Sequence, residues 1–125
     1  MPIFRFISRR IESVRYALNG VYLIIKTQHN AWIHAMMTAI VVALGLIFNV
    51  SLSDWKFLIL AMMSVWIAEA LNTALECLAD GFCKEYHPLI GRAKDVAAGA
   101  VLIAATGATI VGCIIFLPKI AEVLR

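Results

Sequence analysis

WKFLILAMMSVWIAEALNTALECL, residues 55–78, changes character halfway along its length. Up to Ile67 it offers only Lys56 and Ser64 as polar side chains; from Glu69 onward it carries Glu69, Asn72, Thr73 and Glu76, with Asp80 just beyond. It is long enough to cross a bilayer core, which takes about 20 helical residues. At about 100° per residue, positions 69, 72, 73, 76 and 80 share a stripe roughly 100° wide. A carboxylate near mid-bilayer costs about 2.5–3.5 kcal/mol even on the lenient insertion scale. Glu69 lies ~16 Å from Asp80 along the helix, deep enough to incur that cost. Such a face must meet a neighbouring helix or a wet cleft rather than lipid.

Two further segments are spans by the same criterion: AWIHAMMTAIVVALGLIFNV at 31–50 and VAAGAVLIAATGATIVGCIIFL at 96–117. The intervening SLSD, residues 51–54, is short and supplies Ser51 or Ser53 as an N-cap, which makes the first two spans antiparallel neighbours. Residues 4–27 read differently. Phe4, Ile7, Ile11, Val14, Leu18, Val21 and Ile25 recur at spacings of three and four between Arg and Glu, the pattern of an amphipathic helix lying in the interface. DGFCKEYHPLIGRAKD, residues 80–95, contains Gly81, Pro88 and Gly91 and reads as a loop or two broken turns. The expected fold is a single all-α membrane domain over 1–125, with a surface helix and three transmembrane helices.

The composition agrees. The 125 residues are 62% hydrophobic, and mean hydropathy is +0.88. The net charge of +3 is not gathered into a nucleic-acid-binding stripe. Arg5, Arg9, Arg10, Arg15 and Lys26 lie in the N-terminal segment and Lys84, Arg92 and Lys94 in the 80–95 segment, against Lys56, Lys119 and Arg125 on the other side. The positive-inside bias therefore puts the N-terminus and the polar end of the second span in the cytoplasm. Cys77, Cys83 and Cys113 lack metal-ligand spacing and read as buried free thiols. No continuous apolar core followed by a small-residue cleavage site is visible, so the whole chain is expected to be retained.

Across the third span Ala100, Ala104, Ala108 and Gly112 recur every four residues, a ridge suited to close helix packing. Lys94 and Asp95 precede it, where free N–H groups and the positive helix end favour anions. Carboxylates able to bind Mg²⁺, a basic helix entry for phosphate and a deeper carboxylate suit phosphoryl transfer from a soluble nucleotide to a lipid hydroxyl. No GxxxxGK[ST] loop or kinase glycine-rich loop is present, so the nucleotide site is of another kind.

EALNTALECLAD, residues 69–80, followed by KEYHPLIGRAKDVAAGAVLIAA, closely resembles the signature of the prokaryotic diacylglycerol kinase and undecaprenol kinase family. RYALNG around Tyr16 and NAWIH at 30–34 extend the likeness. The resemblance implies a homotrimer in the bacterial inner membrane, with active sites shared between neighbours, ATP as phosphoryl donor and Mg²⁺ as cofactor. It implies that Glu69 takes the proton from the lipid hydroxyl and that Glu76 binds the metal bridging the ATP phosphates. Asn72 and Asp80 would support the catalytic and phosphate positions. Tyr16, Glu85, His87, Lys94 and Asp95 would line the nucleotide site, and Arg9 would help hold the lipid. One departure stands out: aligning RYALNG and NAWIH puts Gln28 where the family commonly has a second metal-binding glutamate. An amide oxygen still coordinates Mg²⁺ but brings no charge. The expected acceptor is diacylglycerol, giving phosphatidic acid; undecaprenol is the alternative.

Blander readings compete. Glu69 and Glu76 could form a buried network that fixes helix register, Asp80 a solvated helix end, and Lys94 a snorkelling anchor. His29 and His34 read as interfacial residues, without a paired ligand spacing, and Trp32 and Trp55 as an aromatic belt. A small proton-coupled transporter would need protonatable groups through to the far leaflet. Residues 55–67 and the third span offer little beyond Lys56, Ser64, Thr106 and Thr109. A non-catalytic assembly subunit would explain the alanine ridge but not the Glu–Asn–Glu–Asp face.

Overall fold

The computed structural model describes residues 2–85 and 87–125, so Tyr86 of the KEYHP stretch lies outside the described residues. Among the described residues every regular element is a helix: α1 (Pro2–Thr27), α2 (His29–Ile47), α3 (Leu52–Phe82) and α4 (Pro88–Val123). The last three are long and apolar enough to cross a membrane. At 1.5 Å per residue α2 is about 28 Å long, α3 about 46 Å and α4 about 54 Å. The latter two therefore exceed a hydrocarbon core of about 30 Å and project beyond it.

Local chemistry sets the boundaries. Gln28, in extended conformation, is the single residue separating α1 from α2. Between α2 and α3 the chain turns through Asn49, at φ 45°, one of the few non-glycine residues that enters the left-handed region readily. Ser51 then caps α3. Its hydroxyl accepts from the Asp54 backbone N–H at 3.1 Å and donates to the Asp54 carboxylate at 2.9 Å, satisfying one of the helix's free donors.

The break between α3 and α4 is much shorter than residues 80–95 suggested. α3 continues through Gly81 to Phe82, and α4 begins at Pro88. Proline at the first helical position lacks only an N–H that would have no partner there, and His87 Nδ1 accepts from the Leu89 N–H at 3.3 Å. Gly91 is helix interior rather than a turn. α4 also runs through Pro118 to Val123, beyond the expected end at Leu117.

α4 packs chiefly on α3, α2 leans on α3, and α1 touches both α2 and α3. The apolar core sits at the end of the bundle remote from Glu69. Val50, Leu58 and Phe116 are buried there, with Phe48, Trp55, Met62, Val111 and Ile115 packed around them. Trp55 is half-buried and packs against this core. A Cβ on Gly45 would come within 2.6 Å of its ring, so α2 approaches α3 closely only because residue 45 has no side chain. Trp32, by contrast, is exposed.

The alanine–glycine ridge of α4 is only partly used within the chain. Ala97 and Ala100 line a groove against α3, whereas a Cβ on Gly107 or Gly112 would meet nothing within 4 Å. The three cysteines are free as expected, but Cys77 and Cys113 are exposed on the isolated chain rather than buried, because their positions point away from the α3–α4 seam.

Candidate functional site

The polar stripe of α3 is graded along the helix axis. Glu69, Asn72 and Thr73 are buried, Glu76 is half-buried, and Asp80 is exposed. Thr73 departs from the shared face. It lies with Ala70, Ala74 and Cys77 against Ala17, Gly20 and Val21 of α1.

Opposite the rest of the stripe stands a row of polar residues on α2. Asn30, His34 and Thr38 recur every four residues and so share one face of that helix. The two rows run antiparallel and match. Thr38 accepts from the Trp66 indole N–H at 3.1 Å, and His34 Nε2 stands 3.5 Å from Glu69 Oε2. Asn30 lines a cleft of about 320 Å³ with His34, Glu69, Asn72 and Glu76, closed on its third side by Ala98, Val101, Leu102 and Ala105 of α4. The small α4 side chains leave the room for this cleft.

Within it Asn72 donates from Nδ2 to Glu76 Oε1 at 3.2 Å. The Asn72 oxygen, the second Glu69 oxygen and His34 Nε2 are buried without a hydrogen-bond partner. Buried polar atoms are seldom left so, since each costs about 1–3 kcal/mol. Two of the three, His34 Nε2 and Glu69 Oε2, face each other at 3.5 Å, so the polar atoms of the cleft are concentrated between α2 and α3.

A second hollow, of about 380 Å³, continues along the same α3–α4 seam toward the basic end. Asp80, Cys83, Lys84, Glu85, His87, Gly91, Lys94 and Asp95 are among its lining. The structure thus gathers five of the residues expected around the nucleotide: Asp80, Glu85, His87, Lys94 and Asp95. Their setting differs from the sequence reading in one respect. Because α4 starts at Pro88, Lys94 and Asp95 sit on its second turn rather than at its N-terminus, where the Leu89 and Gly91 N–H groups already donate to His87. Lys94 Nζ donates to Asp80 Oδ1 at 2.9 Å. That hydrogen bond and the adjacent charge hold the Lys94 ammonium above its ordinary pKa, with Glu76 adding a smaller push in the same direction.

Other expected residues are not brought to either hollow. Tyr16 and Arg9 are exposed on α1, and Gln28 is the half-buried N-cap residue of α2, its side chain making no cap hydrogen bond. Among the described residues no three His, Cys, Asp or Glu side chains gather closely enough to cage a metal.

His34 and Asn30 are the residues that sequence reasoning passed over. The available signal was the four-residue repeat of Asn30, His34 and Thr38 on an otherwise apolar helix, the counterpart of the stripe on α3. Read one histidine at a time, that repeat is invisible.

Three helices of membrane-spanning length and a polar cleft with one buried carboxylate, Glu69, fit a multi-pass membrane protein. The chain belongs to the prokaryotic diacylglycerol kinase family, which matches residues 15–116. It is 43% identical to the diacylglycerol kinase of Escherichia coli (strain K12), over 86% of this chain and 88% of that one. It is 34% identical to the undecaprenol kinase of Bacillus subtilis (strain 168), over 91% of this chain and 93% of that one. The matched stretch includes Tyr16, both polar rows and the 83–87 connection; Arg9 precedes it.

Proposed function

We propose that the protein transfers the γ-phosphoryl group of ATP to the hydroxyl of a membrane lipid, with diacylglycerol as the acceptor and phosphatidic acid as the product. Glu69 carries the reading. A carboxylate 1% exposed, with an unpartnered oxygen, lies at membrane depth in a cleft that continues along α3 and α4 to the Lys94–Asp80 hollow. A lipid hydroxyl entering from the bilayer would meet Glu69 as general base. A soluble nucleotide would enter from the basic end, its phosphates competing with Asp80 for Lys94, while Glu85, His87 and Asp95 line its site. Asn72, already holding Glu76, keeps the two carboxylates in register.

Mg²⁺ suits what Glu76 offers. Mg²⁺ keeps several waters and binds through one or two carboxylates plus substrate phosphates, so it needs no all-protein cage. Glu76 would hold it; Gln28, which lies outside the cleft in this chain, would add at most an uncharged second ligand. When bound, the ion neutralises charge on the transferring phosphates.

α1 would lie in the cytoplasmic interface, its exposed Phe4, Ile7, Ile11 and Val14 in the headgroup region. There Arg9 would reach the lipid, and Tyr16 would reach the nucleotide across a subunit boundary. A homotrimer in the bacterial inner membrane, with the N-terminus and site cytoplasmic, fits the exposed small-residue face of α4 and the basic bias of residues 5–26 and 84–94. Undecaprenol is a second acceptor reading, favoured by the Bacillus subtilis relative.

A proton-coupled transporter fits less well. Beyond His34 the space between helices is a small apolar pocket of about 120 Å³, lined by Met37, Val41, Met62, Val65 and Ala108. The Val50–Leu58–Phe116 core then closes the far end. A coupled assay on the purified protein tests the function: ADP release must require both the lipid alcohol and Mg²⁺, and ADP release indifferent to the lipid would reject it.

A further inference from the structure

Asn30 begins the polar row of α2, and the register of that row against α3 fixes what it faces. Thr38 meets Trp66 at 3.1 Å, and one turn back His34 meets Glu69 at 3.5 Å. Asn30 lies one turn further back on the same face. Because the two helices run antiparallel, that step carries it past Glu69 toward Asn72 and Glu76. All of them line the one cleft of about 320 Å³. Asn30 therefore stands opposite the half-buried end of the acidic stripe.

Asn72 sets the chemistry at this level. Its Nδ2 donates to Glu76 Oε1 at 3.2 Å, and only the nitrogen end of an amide can donate to a carboxylate, so its orientation is fixed. The Asn72 oxygen is left buried and without a partner, on a residue 6% exposed. His34 Nε2 and Glu69 Oε2 at least have each other at 3.5 Å; Asn72 Oδ1 has no such counterpart. Among the described residues the second Glu76 oxygen makes no hydrogen bond either. Lys94, the nearby ammonium, is held by Asp80 at 2.9 Å and leaves Glu76 free for another cation.

We infer that Asn30 is a metal ligand, its amide oxygen completing with Asn72 Oδ1 and Glu76 an oxygen site for a hard divalent cation in the cleft. The inference rests on the reading of Glu76 as the carboxylate that holds Mg²⁺. Hard cations take oxygen donors, amide carbonyls among them, and Mg²⁺ keeps several waters beside one or two carboxylates. Two amides and one carboxylate leave room for those waters and for phosphate oxygens. Such a donor set also explains why no cluster of His, Cys, Asp and Glu marks the site among the described residues. Gln28 is not equivalent. It belongs to the extended link before α2 and does not line the cleft, and helical residues two apart point about 200° away from each other. With a single carboxylate the site holds a bare ion weakly.

The test is Mn²⁺ binding to the full chain in detergent micelles, without nucleotide or lipid, read from the loss of the free-ion electron paramagnetic resonance signal. Asn30→Asp puts a second carboxylate at the site and should tighten binding about tenfold. Gln28→Glu adds the same charge two residues away but outside the cleft, and should tighten it less. Asn30→Leu should weaken binding by about tenfold or more, since losing even an outer-shell partner costs about 10–100-fold in metal affinity. Asn30 is exposed on the first turn of α2, so these changes spare the packing, and a damaged fold does not gain affinity. Equal binding by wild type, Asn30→Asp and Asn30→Leu would overturn the inference. So would a greater gain in Gln28→Glu than in Asn30→Asp, or no Mn²⁺ bound by any of these proteins. Wild-type affinity in Glu76→Gln would instead remove Glu76 from the metal, the reading beneath it. Lipid phosphorylation plays no part in this measurement, so the kinase reading fails in a different experiment.

Discussion

Glu69→Gln keeps the volume of the side chain and removes its ability to accept a proton. If Glu69 is the base, turnover should fall by at least about 10²-fold while ATP binding persists, since the nucleotide hollow begins near Asp80, about three helical turns away. Equilibrium binding of a fluorescent ATP analogue, measured beside turnover, separates the two; loss of both would mean that the variant has lost its fold. Gln28→Glu tests the metal at the same scale. Adding a carboxylate should lower the Mg²⁺ concentration for half-maximal activity, and an unchanged requirement would remove residue 28 from the metal site. At this scale Glu69, Asn72 and Glu76 were legible because burying acids in a membrane helix is costly and all three share one face. His34 was not. Its partner is 35 residues away in sequence, and only the approach of α2 to α3 makes them neighbours.

The α3–α4 seam sets the protonation of Lys94. Its hydrogen bond with Asp80 raises the folded-state pKa above the unfolded value. The pair's contribution is therefore complete below the ordinary lysine range and is lost only as pH rises through the raised folded value. Lys94 stays charged at all working pH values, so KM for ATP should be flat from neutral pH into the mildly alkaline range. In Asp80→Asn the rise in KM should begin at lower pH. A wild-type KM that climbs just above neutrality would contradict this account of Lys94. Packing between α2 and α3 makes an independent prediction. Gly45→Ala places a methyl against the Trp55 ring and should cost about 1–3 kcal/mol, read as a lower melting temperature in detergent. Trp55→Leu in the same chain should recover part of the loss. The spans were readable as elements because length and hydropathy suffice for that. The start of α4 was misread because Pro88 and Gly91 look like a loop, although proline at a first helical position equally marks a beginning.

For the whole molecule, orientation and assembly remain open to direct measurement. With residues 5–26 and 84–94 in the cytoplasm, a membrane-impermeant maleimide should label Cys83 in inside-out vesicles and not in right-side-out ones. Labelling from the outer face would reverse the topology and put the site on the wrong side for ATP. In the sequence the polar path stops about half-way along the second span, because residues 55–67 hold so few protonatable groups. The reason it stops became visible only in three dimensions, where Trp55, Leu58 and Phe116 close the far end. The central claim is that this one-sided cleft phosphorylates a lipid alcohol. Its most direct test is transfer of radiolabelled γ-phosphate from ATP to micellar diacylglycerol and undecaprenol, side by side, with wild type and Glu69→Gln. The account predicts a labelled lipid with the wild type, most strongly with diacylglycerol, and none with the variant; no labelled product from the wild type with either lipid would contradict it.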